Sequence, residues 1–345
     1  AREHSEVGEI VRTGPMGSRS RLRWLHMFSC VPELIRLRHQ YDVLWVAGFR
    51  VLGLPAVLVA RLLGKRCILR AESCGEMDGT FFLNALPTQG IKGRLARLLL
   101  KLFVAIRNSQ LRRATALVAI SSEIRDEMLA CRVADDRINV IHQSVDTQRF
   151  VPVESNERKL LLRRQLALPE SACIFVFTGR LVAYKGLPTL LEAWQELPER
   201  TRAQCHLLLV GEGGHDMFNC EQALRKTVTQ AGLAGSVTFT GAVDNVVDYL
   251  QASDVFVFPT ENEAFGISII EAMAVGLSTV STLVGGVSDI VVEGETGLAV
   301  PPQHPVALTV ALETLAQDPP RRVRLGEAAR KRVEERFTQP ALGKA

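Results

Sequence analysis

Val255-Phe-Val-Phe258-Pro259-Thr-Glu261-Asn-Glu263-Ala-Phe265-Gly266-Ile267-Ser-Ile-Ile270-Glu271-Ala-Met-Ala274 is the stretch whose reading decides the fold. Val255–Phe258 is a short apolar run between Asp254 and Pro259. β-Branched and aromatic residues of that length suit a strand covered on both faces. Pro259 closes the strand, and a polar loop carries Glu263 to Phe265 and Gly266. From Gly266 the residues favour a helix, with Ile267, Ile270 and Ala274 expected on one apolar face. Gly266 and Ile267 then offer unpaired N–H groups at the first turn, where an anion meets donors and the positive end of the helix dipole. Glu263 precedes that turn and Glu271 lies about 7–8 Å of helix beyond Gly266. Carboxylates on both flanks of a bound diphosphate can each hold the hydroxyls of a sugar. The plainer reading is an ordinary strand–loop–helix with scattered acids, which the spacing alone does not displace.

Working outward, Cys173–Phe177 is another continuous apolar strand, followed by Thr178-Gly179-Arg180 and then Tyr184-Lys185-Gly186. Arg180 presents a planar fork to phosphate oxygens and Lys185 a point charge. His206–Val210 runs into Gly211-Glu-Gly-Gly214, and Val237–Val243 is a further strand, Val243 offering an apolar wall or a core contact. Gly285-Gly286-Val-Ser-Asp289 and Gly294-Glu-Thr-Gly297 follow. Strand and helix alternate from Cys173 to Val300, the pattern of a doubly wound parallel sheet.

In chain order, the four motifs Phe177–Gly186, Glu263–Ala274, Gly285–Val291 and Gly294–Leu298 resemble the E-x7-E group of retaining glycosyltransferases, family 4, the sucrose-synthase and mannosyltransferase group. The resemblance spans about residues 110–335. It implies an α/β chain of two Rossmann-like domains facing each other (GT-B), an N-terminal acceptor-side domain over 1–152 and a C-terminal nucleotide-sugar domain over 153–337. It implies transfer of a sugar from a nucleoside-diphosphate sugar to a hydroxyl acceptor, a glycan or a lipid-linked one, with retention. Arg180, Lys185 and Glu263 take the catalytic roles. Gly179, Arg180, Lys185, Val243, Glu263, Phe265, Gly266, Ile267 and Glu271 contact the donor. No Asp-x-Asp cradle is present, so a metal-independent reaction without cofactor is expected. The alternatives are a nucleotide-sugar binding protein without turnover and a nucleotide-sugar epimerase of the same architecture.

The first half departs from the family pattern. Its strand–loop–helix opening is not recognisable before Met27, residues 1–23 read as a solvated loop, and the chain starts on Ala1-Arg2-Glu3, so its first unit is expected to be missing. The final helices are read over Pro305–Leu315 and Arg321–Phe337, with only a partial return to the first domain. After the strand Arg66–Arg70, Glu72 and Glu76 stand where relatives carry a histidine. They are acceptor-side candidates or plain loop charges. His142-Gln143-Ser144-Val145-Asp146 occupies the usual Pro-Asn-Gly-Val-Asp hinge, where Ser144 makes a left-handed turn uncomfortable. His142 reads as a packed strand-end residue.

Charge separates the halves. Residues 1–150 hold 23 Lys+Arg against 14 Asp+Glu, and the rest 18 against 23. Lys92–Arg113 mixes apolar residues and cations without an acid, which reads either as a core helix with a solvated basic face or as a helix lying on an anionic membrane. With 345 residues and 47% hydrophobic composition, the chain has enough for two cores and is not disordered. Seven scattered cysteines without a CxxC pair argue for reduced thiols and against zinc. The expected location is the cytoplasm, with peripheral attachment to the inner membrane face as a variant. Nucleic acid is not an expected partner.

Overall fold

The computed structural model describes residues 2–5, 8–11, 28–80 and 90–342. The chain forms two compact units, Ala1–Ile141 and His142–Ala345. The division falls ahead of the 152/153 boundary read from the sequence. Val145 N–H bonds to Phe337 O at 2.9 Å, and the Arg330 guanidinium bonds to Phe150 O at 2.7 Å, which ties residues 145–150 into the second unit.

In the first unit, β1 (Arg2–Ser5) and β2 (Gly8–Val11) pair antiparallel, within the stretch read as a solvated loop, whose residues 12–23 lie outside the described residues. Four further strands, β3 (Val43–Ala47), β4 (Arg66–Arg70), β5 (Ala116–Ala119) and β6 (Ile138–Val140), form a separate parallel sheet in that order. The crossover helix Phe49–Leu62 starts at Gly48 in the left-handed region and buries Phe49, Val57 and Val59. The Gly90–Leu111 helix packs beside it at Gly53, where an added Cβ would come within 3.1 Å of Leu111 Cδ2.

That second helix is not uniformly basic on its outer face. Arg107 is 1% exposed and donates to the carbonyls of Glu76 and Met77 at 2.7 and 2.9 Å. These buried carbonyls satisfy its N–H groups, and the Glu76, Glu127 and Asp78 carboxylates favour its charge. Leu95, Leu98, Leu102 and Ile106 face outward instead, each more than half exposed, beside exposed Arg94 and Lys101.

The second unit is built on six parallel strands: β7 (Cys173–Thr178), β8 (Cys205–Val210), β9 (Val237–Gly241), β10 (Val255–Phe258), β11 (Ser278–Ser281) and β12 (Gly297–Ala299). Their order in the sheet is β12-β11-β10-β7-β8-β9. The apolar runs became strands because helices cover both faces; β8, β10 and β11 are buried at every residue. Phe177 stacks on Phe258 at 5.9 Å, and Trp194 meets Phe175 edge-on at 5.6 Å while its indole N–H reaches Ser236 Oγ. Burial of such rings dominates core energetics.

The long Pro319–Arg336 helix lies close on this core. A Cβ at Gly326 would sit 2.0 Å from Gly276 O, so only glycine permits the approach. The chain runs from β7 through β8 to β9, then crosses to β10 on the other flank of β7. The order therefore reverses between β7 and β10. Open α/β sheets bind ligands outside the carboxyl ends of their strands at such a switch point.

Candidate active site

Two loops leave the carboxyl ends of the switch-point strands. The loop after β7 carries Gly179, Arg180 and Lys185, and the loop after β10 carries Glu263 and Gly266. They are locked together by backbone. Gly186, at φ +71°, lies so close to Pro259 that a Cβ would fall 1.8 Å from the proline carbonyl oxygen. Glu261 N–H donates to Tyr184 O at 2.8 Å. The Glu263 turn is held from its other side by Gly285 and Gly286, where Gly286 N–H bonds to Glu263 O and a Cβ on Gly285 would strike the same oxygen at 1.7 Å. Glycines are needed at these points because the two backbones touch.

Lys185 Nζ donates to Glu263 Oε2 at 2.5 Å, with both side chains 14% exposed. The ammonium also lies 5.0 Å from the centre of the Phe258 ring. Arg180 is 61% exposed; it binds the Asp216 carboxylate through Nη1 and Tyr184 Oη through Nη2 at 2.7 Å. Neither partner is apparent from the sequence. Asp216 lies 36 residues from Arg180 in the chain, and no local pattern connects them. Gly179, at φ +144°, passes so close to Gly211 that a Cβ on Gly211 would fall 2.0 Å from Gly179 O, so the two strand-end loops cross at glycines.

Gly266, at φ +113°, opens the helix Ile267–Ala274 with no side-chain cap and no acid in the first turn. Its first N–H groups are left for an outside acceptor. The buried face is Ile269, Ile270, Ala272, Met273 and Ala274; Ile267 is 45% exposed and not part of the apolar face expected of it. Glu271 lies about one turn further on. Burial pushes its carboxyl up to about 7, against a smaller opposing pull from Arg149.

The Phe265 ring turns into the protein interior. It is 1% exposed, stacked on His142 at 5.5 Å and edge-on to Phe337 at 5.9 Å. His142 is thus a packing residue, with Nε2 3.4 Å from Asp289 Oδ2. We expect His142→Ala to lower the unfolding free energy by about 1 kcal/mol through the lost ring contacts, measurable by urea denaturation. Ser144 does not adopt a positive φ, so this hinge needs no glycine. Val243 is half-buried after β9, available as a wall without being core.

In the first unit, Glu76 is 2% exposed, and its Oε1 accepts from Glu72 N–H and Ser73 Oγ at 3.2 and 3.1 Å. Burial raises its pKa. Its carboxylate organises its own loop, and Glu72 pairs with Arg70 at 3.4 Å. The same loop is held by Glu127, which accepts from Gly75, Met77 and Asp78 N–H at 2.7, 2.7 and 3.0 Å, another contact that no sequence pattern announces.

The switch point of this parallel sheet brings Arg180, Lys185 and Glu263 beside an uncapped helix start, and the sheet order defines a doubly wound α/β protein. The family model for glycosyl transferases group 1 matches residues 159–332, and that for Glycosyltransferase Family 4 matches residues 1–149. The chain belongs to the group 1 glycosyl transferases.

Among relatives, the D-inositol 3-phosphate glycosyltransferase of Streptomyces avermitilis is 32% identical over 227 residues, 64% of this chain and 48% of that protein. The enzyme of the same description from Xylanimonas cellulosilytica is 32% identical over 220 residues, 62% and 52% respectively. The matches thus span about half the length of these relatives. Among solved structures, sucrose-phosphate synthase of Thermosynechococcus elongatus aligns with TM-score 0.78 and 25% identity over 99% of this chain and 82% of that one. Anabaena HepE, in complex with UDP and glucose, aligns with TM-score 0.77 and 18% identity over 96% and 82%.

Proposed function

We propose that the protein transfers a sugar from a nucleoside-diphosphate sugar to a hydroxyl acceptor with retention of configuration. The observation that carries this reading is the Lys185–Glu263 pair, 2.5 Å across the β7/β10 switch point and beside the uncapped helix start at Gly266. The diphosphate lies against the Gly266 and Ile267 N–H groups, Arg180 and Lys185. Glu263 holds hydroxyls of the transferred sugar and Glu271 those of the nucleoside ribose. Gly179 lets the backbone approach the diphosphate, and Val243 walls the base.

As the bond from the anomeric carbon to the phosphate oxygen breaks, negative charge grows on the leaving diphosphate. Fixed cations there stabilise the transition state more than the ground state. The acceptor oxygen bonds to the same face of the sugar, and its proton passes to the departing phosphate. No second carboxylate is required to form a glycosyl-enzyme, in contrast to retaining hydrolases. Arg180 and Lys185 supply the charge that a divalent cation would otherwise bring, so turnover should persist in a chelator. Steady-state transfer assays with uridine, guanosine and adenosine diphosphate sugars, with and without chelator, test this. No transfer or donor hydrolysis from any of them would refute it.

We further propose that the acceptor is lipid-linked and that the Gly90–Leu111 helix lies on an anionic membrane. Its outward Leu95, Leu98, Leu102 and Ile106 with Arg94 and Lys101 support that reading. No helix among the described residues is long and apolar enough to cross a membrane. Each cation near such a surface contributes about 1 kcal/mol, so flotation with anionic liposomes should be strong at low salt and weak at high salt. Equal flotation with neutral liposomes would remove the helix from this role.

A further inference from the structure

We propose that Cys173 and Cys205 form a redox-active dithiol that closes to an intramolecular disulfide. Cys173 begins β7 and Cys205 begins β8, and the two are register partners in a parallel ladder. Their side chains therefore leave the same face of the sheet. Neighbouring strands lie about 4.8 Å apart, within the Cα separation of about 4.4–6.8 Å that a disulfide spans. Both sit at the amino ends of their strands, where the ladder is terminal and small backbone adjustments break few hydrogen bonds. They line a cavity of about 910 Å³, together with His206, Arg200, Gln317 and Arg322, which gives a small oxidant a route to the sulfurs. This cavity lies at the sheet end opposite the loops that carry Arg180 and Glu263.

The two thiols interact with each other as well. Interaction with Cys205, then burial and Asp254, raise the pKa of Cys173, while interaction with Cys173 lowers that of Cys205 against burial; the Arg322 guanidinium favours both thiolates and the Asp254 carboxylate opposes both. With no such partner to offset it, burial pushes the thiols of Cys67, Cys131 and Cys220 up to about 11. A thiolate is the attacking species in exchange, so Cys205 is the nucleophile and Cys173 the resolving thiol.

The oxidant class is a low-molecular-weight disulfide such as glutathione disulfide. The Cys205 thiolate attacks one of its sulfurs, forming a mixed disulfide and expelling one glutathione thiolate, which takes up the proton Cys205 gave to solvent. Cys173 then loses its proton and attacks Cys205 Sγ, expelling the second glutathione as a thiol. The protein loses two hydrogens and the glutathione disulfide is reduced to two thiols. The product ties the amino ends of β7 and β8 together.

The test equilibrates the intact protein with glutathione mixtures of increasing oxidising strength, blocks free thiols and maps peptides by mass spectrometry, with circular dichroism confirming a native fold. The expected result is loss of two of the seven thiols, one Cys173–Cys205 cross-linked peptide, and full recovery on reduction. Cys173→Ser should arrest the reaction at a lasting glutathione adduct on Cys205. Both thiols remaining free in the most oxidising mixture, or a cross-link formed preferentially by other cysteines in the folded protein, would overturn the proposal.

Discussion

Replacing Glu271 by glutamine is expected to raise the unfolding free energy at pH 8 by about 3 kcal/mol and to flatten its dependence on pH. The cause is burial, which pushes the Glu271 carboxyl from 4.5 up to about 7, with Arg149 opposing it only weakly. A carboxyl raised in the folded state binds its proton more tightly there than in the unfolded chain. Its contribution to stability is therefore fully present below about pH 4.5 and is lost as pH rises through 7. A tenfold difference in proton affinity between the folded and unfolded chains is worth about 1.36 kcal/mol, which sets the size of the effect. Glutamine keeps the shape without the charge, so its melting temperature at pH 8 should exceed that of the native protein by roughly 5–10 °C. Thermal melts at pH 5 and pH 8 read this directly. An unchanged difference between the two pH values in Glu271→Gln would assign the dependence to other groups. A costly buried acid kept on this helix is itself consistent with a ligand role, since functional sites hold perturbed carboxyls.

Lys185→Ala is expected to cut turnover roughly 100- to 1000-fold, the scale of about 2.7–4 kcal/mol seen when one transition-state donor is removed. Preference among donor sugars sharing one base should be unchanged if, as proposed, the ammonium acts on the diphosphate. The variant should also lose stability, since Glu263, 14% exposed, is left without its cation. Breaking one member of a buried pair costs more than deleting both. Glu263→Gln added to Lys185→Ala should therefore recover much of the stability and none of the turnover. Steady-state kinetics and urea denaturation of the single and double variants separate the two roles. A Lys185→Ala enzyme that keeps its turnover but changes its preferred sugar would place Lys185 on the sugar instead.

What the sequence disclosed depended on how local the cause was. The strands of the second unit were legible because sheets covered on both faces need uninterrupted apolar runs, and Cys173–Thr178 and Val255–Phe258 are short, β-branched and aromatic, and bounded by glycine or proline. The loops between them were legible through glycines and charges at strand ends. Ile267 was misjudged because helical spacing counted it with Ile270, while the first turn projects it outward at the helix start. The burial of the Phe265 ring under His142 and Phe337 was not legible, because it depends on residues far off in sequence. Arg107 gave no sign of being interior, since the Glu76 and Met77 carbonyls that hold it lie 31 and 30 residues away in the chain. Asp216 and Glu127 escaped for the same reason: each meets its partners only after the chain has folded back.

The central claim is that the β7/β10 switch point binds a nucleoside diphosphate with Glu271 as one of its holds. Calorimetric titration of uridine, guanosine and adenosine diphosphates tests it most directly, on the native chain and on Glu271→Ala and Glu123→Ala. Glu123 is an exposed acid in the first turn of the Ser122–Ala130 helix of the other unit and serves as the control. The account predicts that the native chain binds at least one of these nucleotides, that Glu271→Ala weakens it, and that Glu123→Ala leaves it unchanged. Equal affinity in the two variants, or no binding of any of the three by the native chain, would contradict it.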